Sequence, residues 1–297
     1  MKYDLIVIGM GIAGISAAIY AKNSGLNVLM LEKEMPGGLT NKINTINNYP
    51  GLGEISGPDL SFKLFESINQ MKIPYKILEV KRIIVKGEMK VIESDKEKFK
   101  AKNIIIATGR KRRALGLKKE RELLGHGISN CALCDGALYK NKVIAVVGGG
   151  NSAVEEAIYL SNLGKKVYLI HRKDSFKADN SLIEELNKKE NIEYYWNSEI
   201  TSLEEENGNL SSIEINHQEI LKVEGLFVYI GFEPNINFIK DLNIADKNGY
   251  IKVNKNFETK IPGIYAVGDA IKKDVYQLVT AASDGAVAAI NISKNFR

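Results

Sequence analysis

Two stretches of the chain repeat one pattern of positions: a short unbroken apolar run, a cluster of glycines, and then apolar residues at helical spacing. In the first, Leu5–Ile8 runs into Gly9-Met10-Gly11-Ile12-Ala13-Gly14, with a helix predicted from Ile12 to Ser24. In the second, Val143–Val147 runs into Gly148-Gly149-Gly150-Asn151-Ser152-Ala153, with a helix predicted from Ser152 to Asn162. An apolar run of four or five residues bounded by glycine suits a strand buried on both faces, as in a parallel sheet. After the first pattern come a strand over Val28–Leu31 and turn-rich loops at Met35-Pro36-Gly37-Gly38 and Asn48-Tyr49-Pro50-Gly51. A helix over Gly57–Met71 follows, with Leu60, Leu64 and Ile68 on one face. Val80–Val85, Met89–Glu93 and Phe99–Ala101 read as a short antiparallel meander covering the sheet. Asn103–Gly109 reads as a buried strand ending in a tight turn.

The second pattern continues with a helix near Ser181–Lys189 and strands near Ile192–Tyr195, Leu203–Glu206, Leu210–Asn216 and Glu219–Val223. Gly225–Gly231 closes that unit. The chain then returns to a buried strand at Ile261–Asp269 and a last helix over Gln277–Lys294. The expected fold is α/β: two three-layer, Rossmann-like dinucleotide-binding domains, a diverged duplication, with the second inserted into the first. The predicted boundaries are 1–113 and 244–297 for the outer domain and 114–243 for the inserted one.

Composition narrows the setting. The chain has 297 residues, 44% hydrophobic and 26% charged, enough for two ordinary cores. No segment is apolar for long enough to cross a membrane, and Met1-Lys2-Tyr3-Asp4 leads straight into a strand without a signal-peptide pattern, so a cytoplasmic address is expected. A net charge of +5 spread along the chain gives no reason to expect a nucleic-acid partner. Arg110-Lys111-Arg112-Arg113, with Lys118 and Lys119, reads as a solvated linker; the sharper alternative is a docking patch for an acidic protein.

The glycine clusters carry chemistry because of where they stand. In Gly-x-Gly-x-x-Gly between a strand and a helix, the first glycine makes the turn and the second admits a pyrophosphate. The third lets the helix pack on the sheet. Glu32 stands 18 residues after Gly14, where a carboxylate can accept from a ribose 2'-hydroxyl, so the first site suits FAD or NAD. At the same spacing after Ala153 stands His171, followed by Arg172, Lys173 and Lys177. Cations there can pair with a 2'-phosphate, so the second site is expected to take NADP; the plainer alternative is that they cap a surface strand.

Cys131-Ala132-Leu133-Cys134-Asp135 holds the only two cysteines, at redox spacing. The proximity of two thiols favours a thiolate that can attack a partner disulfide, and Asp135 is placed to exchange a proton. A zinc site lacks a second cysteine pair, with only His126, His171 and His217 to complete it. A structural disulfide would span more chain.

Taken in order, these motifs resemble the low-molecular-weight thioredoxin reductases, flavoproteins of the pyridine nucleotide-disulfide oxidoreductase superfamily. The resemblance spans essentially the whole chain. It is most specific at Cys-x-x-Cys-Asp just before the second glycine motif, at Gly148 to Glu156, at His171-Arg172 with Phe176, and at Gly268-Asp269 followed by Gln277. It implies an FAD site from Gly9, Gly11, Ala13, Gly14, Glu32, Lys33, Gly38, Leu39, Asn48, Ala107, Thr108, Gly109, Gly268, Asp269, Tyr276, Gln277 and Leu278. It implies an NADPH site from Gly148, Gly150, Asn151, Ser152, Ala153, His171, Arg172, Lys173, Lys177, Ile230 and Gly231.

The implied activity is thioredoxin-disulfide reduction by a homodimer. Electrons pass from NADPH through FAD to Cys134 and Cys131; Cys131 attacks thioredoxin and Asp135 acts as acid and base. A domain rotation would pivot near Ala114–Leu117 and Asp241–Ala245. Five positions depart from the family pattern. Leu39 stands for a usual Gln, Tyr276 for an Arg, Lys173 and Lys177 for arginines, and Arg110 for a small residue. The alternatives are a related flavoprotein using NADH or a protein donor such as ferredoxin, acting on thioredoxin or another thioredoxin-like protein, and a non-catalytic redox or nucleotide sensor.

Overall fold

The computed structural model describes residues 2–43 and 45–296. The chain opens with β1 (Lys2–Ile8), α1 (Ile12–Asn23) and β2 (Val28–Glu32), followed by α2 (Gly57–Gln70) and β3 (Tyr75–Ile77). Then come β4 (Val80–Lys86), β5 (Met89–Ser94), β6 (Lys98–Ile106) and a short β7 (Arg110–Arg112). The order β3-β2-β1-β6 is parallel, and β6-β5-β4 turns antiparallel within the same sheet. The two runs expected at Phe99–Ala101 and Asn103–Gly109 are therefore one strand. In its first half Phe99 and Ala101 are buried while Lys98 and Lys100 are exposed; in its second half Ile104–Ile106 are all buried. A change of period within one strand looked like two strands because its neighbours change from one half to the other.

The middle of the chain holds β8 (Ile128–Ser129), α3 (Ala132–Asp135), β9 (Val143–Gly148), α4 (Asn151–Ser161), β10 (Lys166–His171) and α5 (Asn180–Leu186). It continues with β11 (Ile192–Trp196), β12 (Ile200–Glu206), β13 (Asn209–Ile215), β14 (Glu219–Lys222), β15 (Gly225–Tyr229) and β16 (Phe232–Pro234). Five strands form a parallel sheet in the order β11-β10-β9-β15-β8, and β12-β13-β14 form a separate antiparallel sheet. The end of the chain adds β17 (Ile264–Ala266), parallel to β6, and α6 (Leu278–Lys294). Among the described residues no helix is long and apolar enough to cross a membrane.

The chain divides into two compact units, residues 1–111 with 233–297, and residues 112–232. The crossings thus lie at 111/112 and 232/233 rather than at the expected 113/114 and 243/244. The second differs because Ile236, Ile239 and Ile244 are buried in the outer unit's core beside Ile6, Ile83 and Ile264. Burial of these side chains, worth roughly 1.5–3 kcal/mol each, ties residues 236–244 to that core. Leu115 and Leu117, in the stretch expected to pivot, likewise pack on the inserted unit's core.

Each core brings its glycine turn to the carboxyl end of a parallel sheet. In the outer unit α1 lies against α6 with small residues between them; a Cβ at Gly285 would stand 2.0 Å from the Ala13 carbonyl oxygen. In the inserted unit α4 buries Ala153, Val154, Ala157 and Ile158 against β9 and β10, whose inner residues are equally apolar.

Candidate functional site

In the outer unit the turn after β1 is shaped for close backbone approach. Gly9 has φ +105°, and a Cβ there would meet the Ala107 carbonyl oxygen at 2.4 Å. A Cβ at Gly14 would stand 2.0 Å from the Gly9 oxygen, whereas Gly11 faces open space with its nearest neighbour, the Gly37 oxygen, at 4.0 Å. Only a residue without a side chain lets both the turn and an incoming pyrophosphate fit here. Ala13 is buried beneath the turn and Gly268 presses on it, since a Cβ at Gly268 would lie 2.8 Å from the Ala13 Cβ.

Glu32, at the end of β2, is already organised. Its Oε2 accepts from Met10 N at 2.7 Å, and its Oε1 accepts from Lys33 N at 2.7 Å and Glu34 N at 3.1 Å. Three main-chain donors hold the carboxylate at the mouth of the turn, where a ribose hydroxyl can add a fourth contact. The Lys33 side chain pairs with Glu79 at 3.3 Å. Gly38 opens a short 3₁₀ turn with Leu39 half-buried behind it.

The other outer-unit residues gather around β6 and the start of α6. Ala107 is buried, Thr108 Oγ1 donates to the Asn235 carbonyl at 2.8 Å, and Gly109 takes φ +60°. Gln277 caps α6 in a reciprocal box with Thr280 and accepts from Asn48 Nδ2 at 3.3 Å; Leu278 packs on the core. Asp269 Oδ2 receives Arg110 through Nη2 at 2.9 Å and Nε at 3.1 Å, and the guanidinium lies 3.9 Å from the centre of the Tyr276 ring. Two departures from the family pattern, Arg110 and Tyr276, therefore meet.

The basic run lies at the crossing from one unit to the other, with Lys111, Arg113, Lys118 and Lys119 exposed and Arg110 and Arg112 half-buried. Lys111 pairs with Glu233 at 3.0 Å, Arg112 lies over the rings of Tyr229 and Phe232, and Arg113 Nε donates to the Phe232 carbonyl at 3.1 Å. The first three residues form the short strand β7, so this solvent-facing connection also takes partners in the fold.

The inserted unit repeats the turn with a different exit. Gly148 has φ +152°, and a Cβ there would meet the Tyr229 carbonyl oxygen at 2.4 Å. Gly150 has nothing within 4 Å of where its Cβ would be, leaving the helix N-terminus of α4 open beside Asn151 and Ser152, both exposed. The loop after β10 is pinned across this turn. Lys177 N donates to the Gly149 carbonyl at 2.7 Å, while Asn151 Nδ2 donates to Asp179 Oδ2 at 2.7 Å and Asp179 N donates back to Asn151 Oδ1 at 3.0 Å. Arg172, Lys173 and Lys177 are exposed on that loop, and among the described residues no carboxylate lies within ion-pair distance of them. Ile230 packs on the core and Gly231, at φ +97°, accepts from Arg113 N at 3.0 Å.

His171 departs from the expectation that it joins these cations. It is buried, stacked among Phe176 and Trp196, and lies directly beneath Gly149, whose Cβ would come within 2.2 Å of the ring. Burial pushes its pKa down, and the nearby Arg172, Lys173 and Lys177 push the same way; a hydrogen bond donated by the imidazole to the Ser175 main chain opposes them. A neutral imidazole supports the turn from below and adds no charge. Its ring meets the turn at Gly149 as the Glu32 carboxylate meets its own turn at Met10, so the shared spacing gave the direction of the side chain but not its burial among aromatic rings.

Cys131 and Cys134 form a disulfide. Cys131 is the N-cap of α3, its Sγ accepting from Cys134 N at 3.2 Å, and Cys134 is exposed. Ser129 links the cysteine to Asp135: its Oγ accepts from Cys131 N at 3.0 Å and donates to Asp135 Oδ2 at 2.6 Å. Beneath the helix, Tyr229 Oη accepts from Ala132 N at 2.8 Å. Neither Ser129 nor Tyr229 was singled out by sequence reasoning. A hydroxyl two residues before Cys131 and a tyrosine in an otherwise apolar strand were the available signals, since a buried tyrosine needs a partner for its hydroxyl. Among the described residues no cluster of His, Cys, Asp and Glu could hold a metal.

The profile of the pyridine nucleotide-disulphide oxidoreductases matches residues 3–286. A thioredoxin reductase of Bacillus subtilis is 38% identical over 98% of this chain and 93% of its own length, and one from Ureaplasma parvum is 40% identical over 97% and 95%. The crystal structure of Lactococcus lactis thioredoxin reductase matches with a TM-score of 0.87 at 38% identity, covering 99% of this chain and 98% of that one. The chain belongs to the pyridine nucleotide-disulphide oxidoreductase family, within its low-molecular-weight thioredoxin reductases.

Proposed function

We propose that this protein is an NADPH-dependent thioredoxin reductase that holds FAD at the outer unit's turn, NADPH at the inserted unit's turn, and passes electrons to thioredoxin through Cys131 and Cys134. The observation that carries this reading is a disulfide at the start of α3 in the same unit as a nucleotide turn flanked by three cations without carboxylate partners. Both turns fit a dinucleotide, being glycine where a Cβ would collide and open where a pyrophosphate would lie. When bound, FAD and NADPH supply the hydride and electron-pair chemistry.

The chain's own residues do the rest. Gly11 and Gly150 admit the pyrophosphates to main-chain N–H groups at helix starts, and Glu32 orients a ribose. Arg172, Lys173 and Lys177 hold a 2'-phosphate. The Cys131 thiolate attacks one sulfur of oxidised thioredoxin and the other leaves as a thiolate. Cys134 then attacks Cys131 Sγ in the mixed disulfide, restoring the internal disulfide and releasing reduced thioredoxin. Cys134 N–H, already aimed at Cys131 Sγ, stabilises the thiolate, and Asp135, oriented by Ser129, exchanges the proton. The working form is a homodimer in the cytoplasm.

A second reading, use of NADH, is favoured by one feature. Lys173 and Lys177 are point charges without arginine's bidentate fork, which loosens discrimination for a 2'-phosphate. Anaerobic titration of the yellow protein with NADPH and with NADH, beside a thioredoxin-coupled disulfide assay, tests both readings. Flavin bleaching by NADPH and turnover that disappears in Cys134→Ser support the first. Equal efficiency with NADH supports the second, and a flavin that neither nucleotide reduces removes both.

A further inference from the structure

Ala132, the first residue of α3, is fully buried, so its N–H needs a partner inside the unit. Tyr229 Oη is that partner at 2.8 Å. A phenol has a single proton, so a hydroxyl that accepts from Ala132 must send its own proton elsewhere. Glu156, on α4, is the acidic group beside that hydroxyl, its charge adding to the rise that burial imposes on the Tyr229 pKa. Its Oε2 is a buried acceptor with no hydrogen-bond partner among the described residues. Arg112 completes the group, its guanidinium 5.0 Å from the centre of the Tyr229 ring and its charge opposing the rise that burial imposes on the Glu156 pKa. The same Tyr229 pairs through its backbone with Gly148, so it sits under the nucleotide turn as well as under the dithiol.

We propose that Tyr229 and Glu156 are positioning residues for the redox pair: Glu156 orients the Tyr229 hydroxyl, which holds the first N–H of α3 and thereby sets the balance between the Cys131–Cys134 disulfide and its dithiol. This rests on the reading that the pair cycles between the two forms. In the disulfide, the covalent ring ties Cys131 to Cys134 and leaves Ala132 N–H no freedom to turn. In the dithiol the helix start can relax toward water. Without the Tyr229 hydroxyl the buried donor is orphaned in the disulfide form and partly rescued in the dithiol form. The disulfide is therefore the form that loses more.

The test equilibrates the full-length holoprotein with mixtures of reduced and oxidised dithiothreitol, quenches in acid, alkylates the thiols and counts them by mass spectrometry. In Tyr229→Phe the equilibrium constant is expected to move about tenfold toward the dithiol, which is ~30 mV for a two-electron couple. Glu156→Leu is expected to move it in the same direction, and Glu156→Gln, whose amide oxygen still accepts, to leave it within about twofold of the wild type. Because the two residues act through one link, the double variant Tyr229→Phe/Glu156→Leu should shift no further than Tyr229→Phe alone. A Tyr229→Phe constant within twofold of the wild type, a shift toward the disulfide, or additive effects in the double variant would overturn the proposal while leaving the cycling of the pair intact. A wild-type pair that never titrates in these buffers removes the cycling itself.

Discussion

The two glycine turns solve one problem in the same way and a second problem in opposite ways. Gly9 and Gly148 both take positive φ and press against a neighbouring main chain, Gly9 on the Ala107 carbonyl and Gly148 on that of Tyr229. Gly11 and Gly150 both leave space. The second strand ends differently. Glu32 presents a carboxylate fixed by three N–H donors, while the end of β10 buries a neutral His171 and carries exposed cations on the loop that follows. In dinucleotide folds the backbone of the turn meets the pyrophosphate and the end of the neighbouring strand meets the ribose, so the two turns offer a ribose different chemistry.

The comparison can be broken most severely at the glycines. A Cβ at Gly14 would stand 2.0 Å from the Gly9 oxygen, within main chain that cannot move aside, so Gly14→Ala should cost more than about 3 kcal/mol and yield protein without flavin. Gly150→Ala meets nothing within 4 Å and should fold with a loss below about 1 kcal/mol, yet bind the second nucleotide poorly because the methyl would fill the space proposed for the pyrophosphate. Thermal melts and flavin absorbance separate the two outcomes.

Next in size is the charge difference. Arg172→Ala/Lys173→Ala/Lys177→Ala should raise KM for NADPH on the order of 100-fold and change KM for NADH by less than about threefold, since a charged hydrogen bond contributes about 1.5–3 kcal/mol and only one nucleotide carries the phosphate. Steady-state kinetics with both nucleotides check it.

The smallest effect concerns His171. Its folded pKa lies below the ordinary value of 6.5, so below that pH the unfolded chain takes up a proton that the folded chain refuses. Stability attributable to His171 should therefore fall as pH drops from about 6.5 toward its depressed value, and be constant above that window. His171→Phe should remove this part of the pH dependence, read as the difference between wild-type and variant denaturation midpoints across pH 5 to 8.

Much of this was legible in the chain. Glycine between a buried strand and a helix has few structural alternatives, so both turns and their helices could be read within a residue or two. The dithiol was legible because two cysteines at this spacing have little else to do. What was hidden depended on contacts across long separations. That Arg110 would reach Asp269 and Tyr276, or that Ile236 and Ile244 would bind residues 236–244 to the outer core, follows from sheet order and not from any local pattern. The surroundings of a strand end were equally invisible: His171 and Glu32 share a spacing and both face their turns, but the His171 ring is closed in by Phe176 and Trp196 while the Glu32 carboxylate accepts from three main-chain N–H groups.

The most direct test of how the two turns differ is calorimetric titration of the wild-type protein with adenosine 2',5'-bisphosphate and with 5'-AMP, ligands that differ only in the 2'-phosphate. Binding at least about 50-fold tighter for the bisphosphate, with the preference erased in the Arg172, Lys173 and Lys177 triple variant, is the predicted result. Equal affinity for the two ligands in the wild type would contradict the assignment of the second turn to a 2'-phosphorylated cofactor.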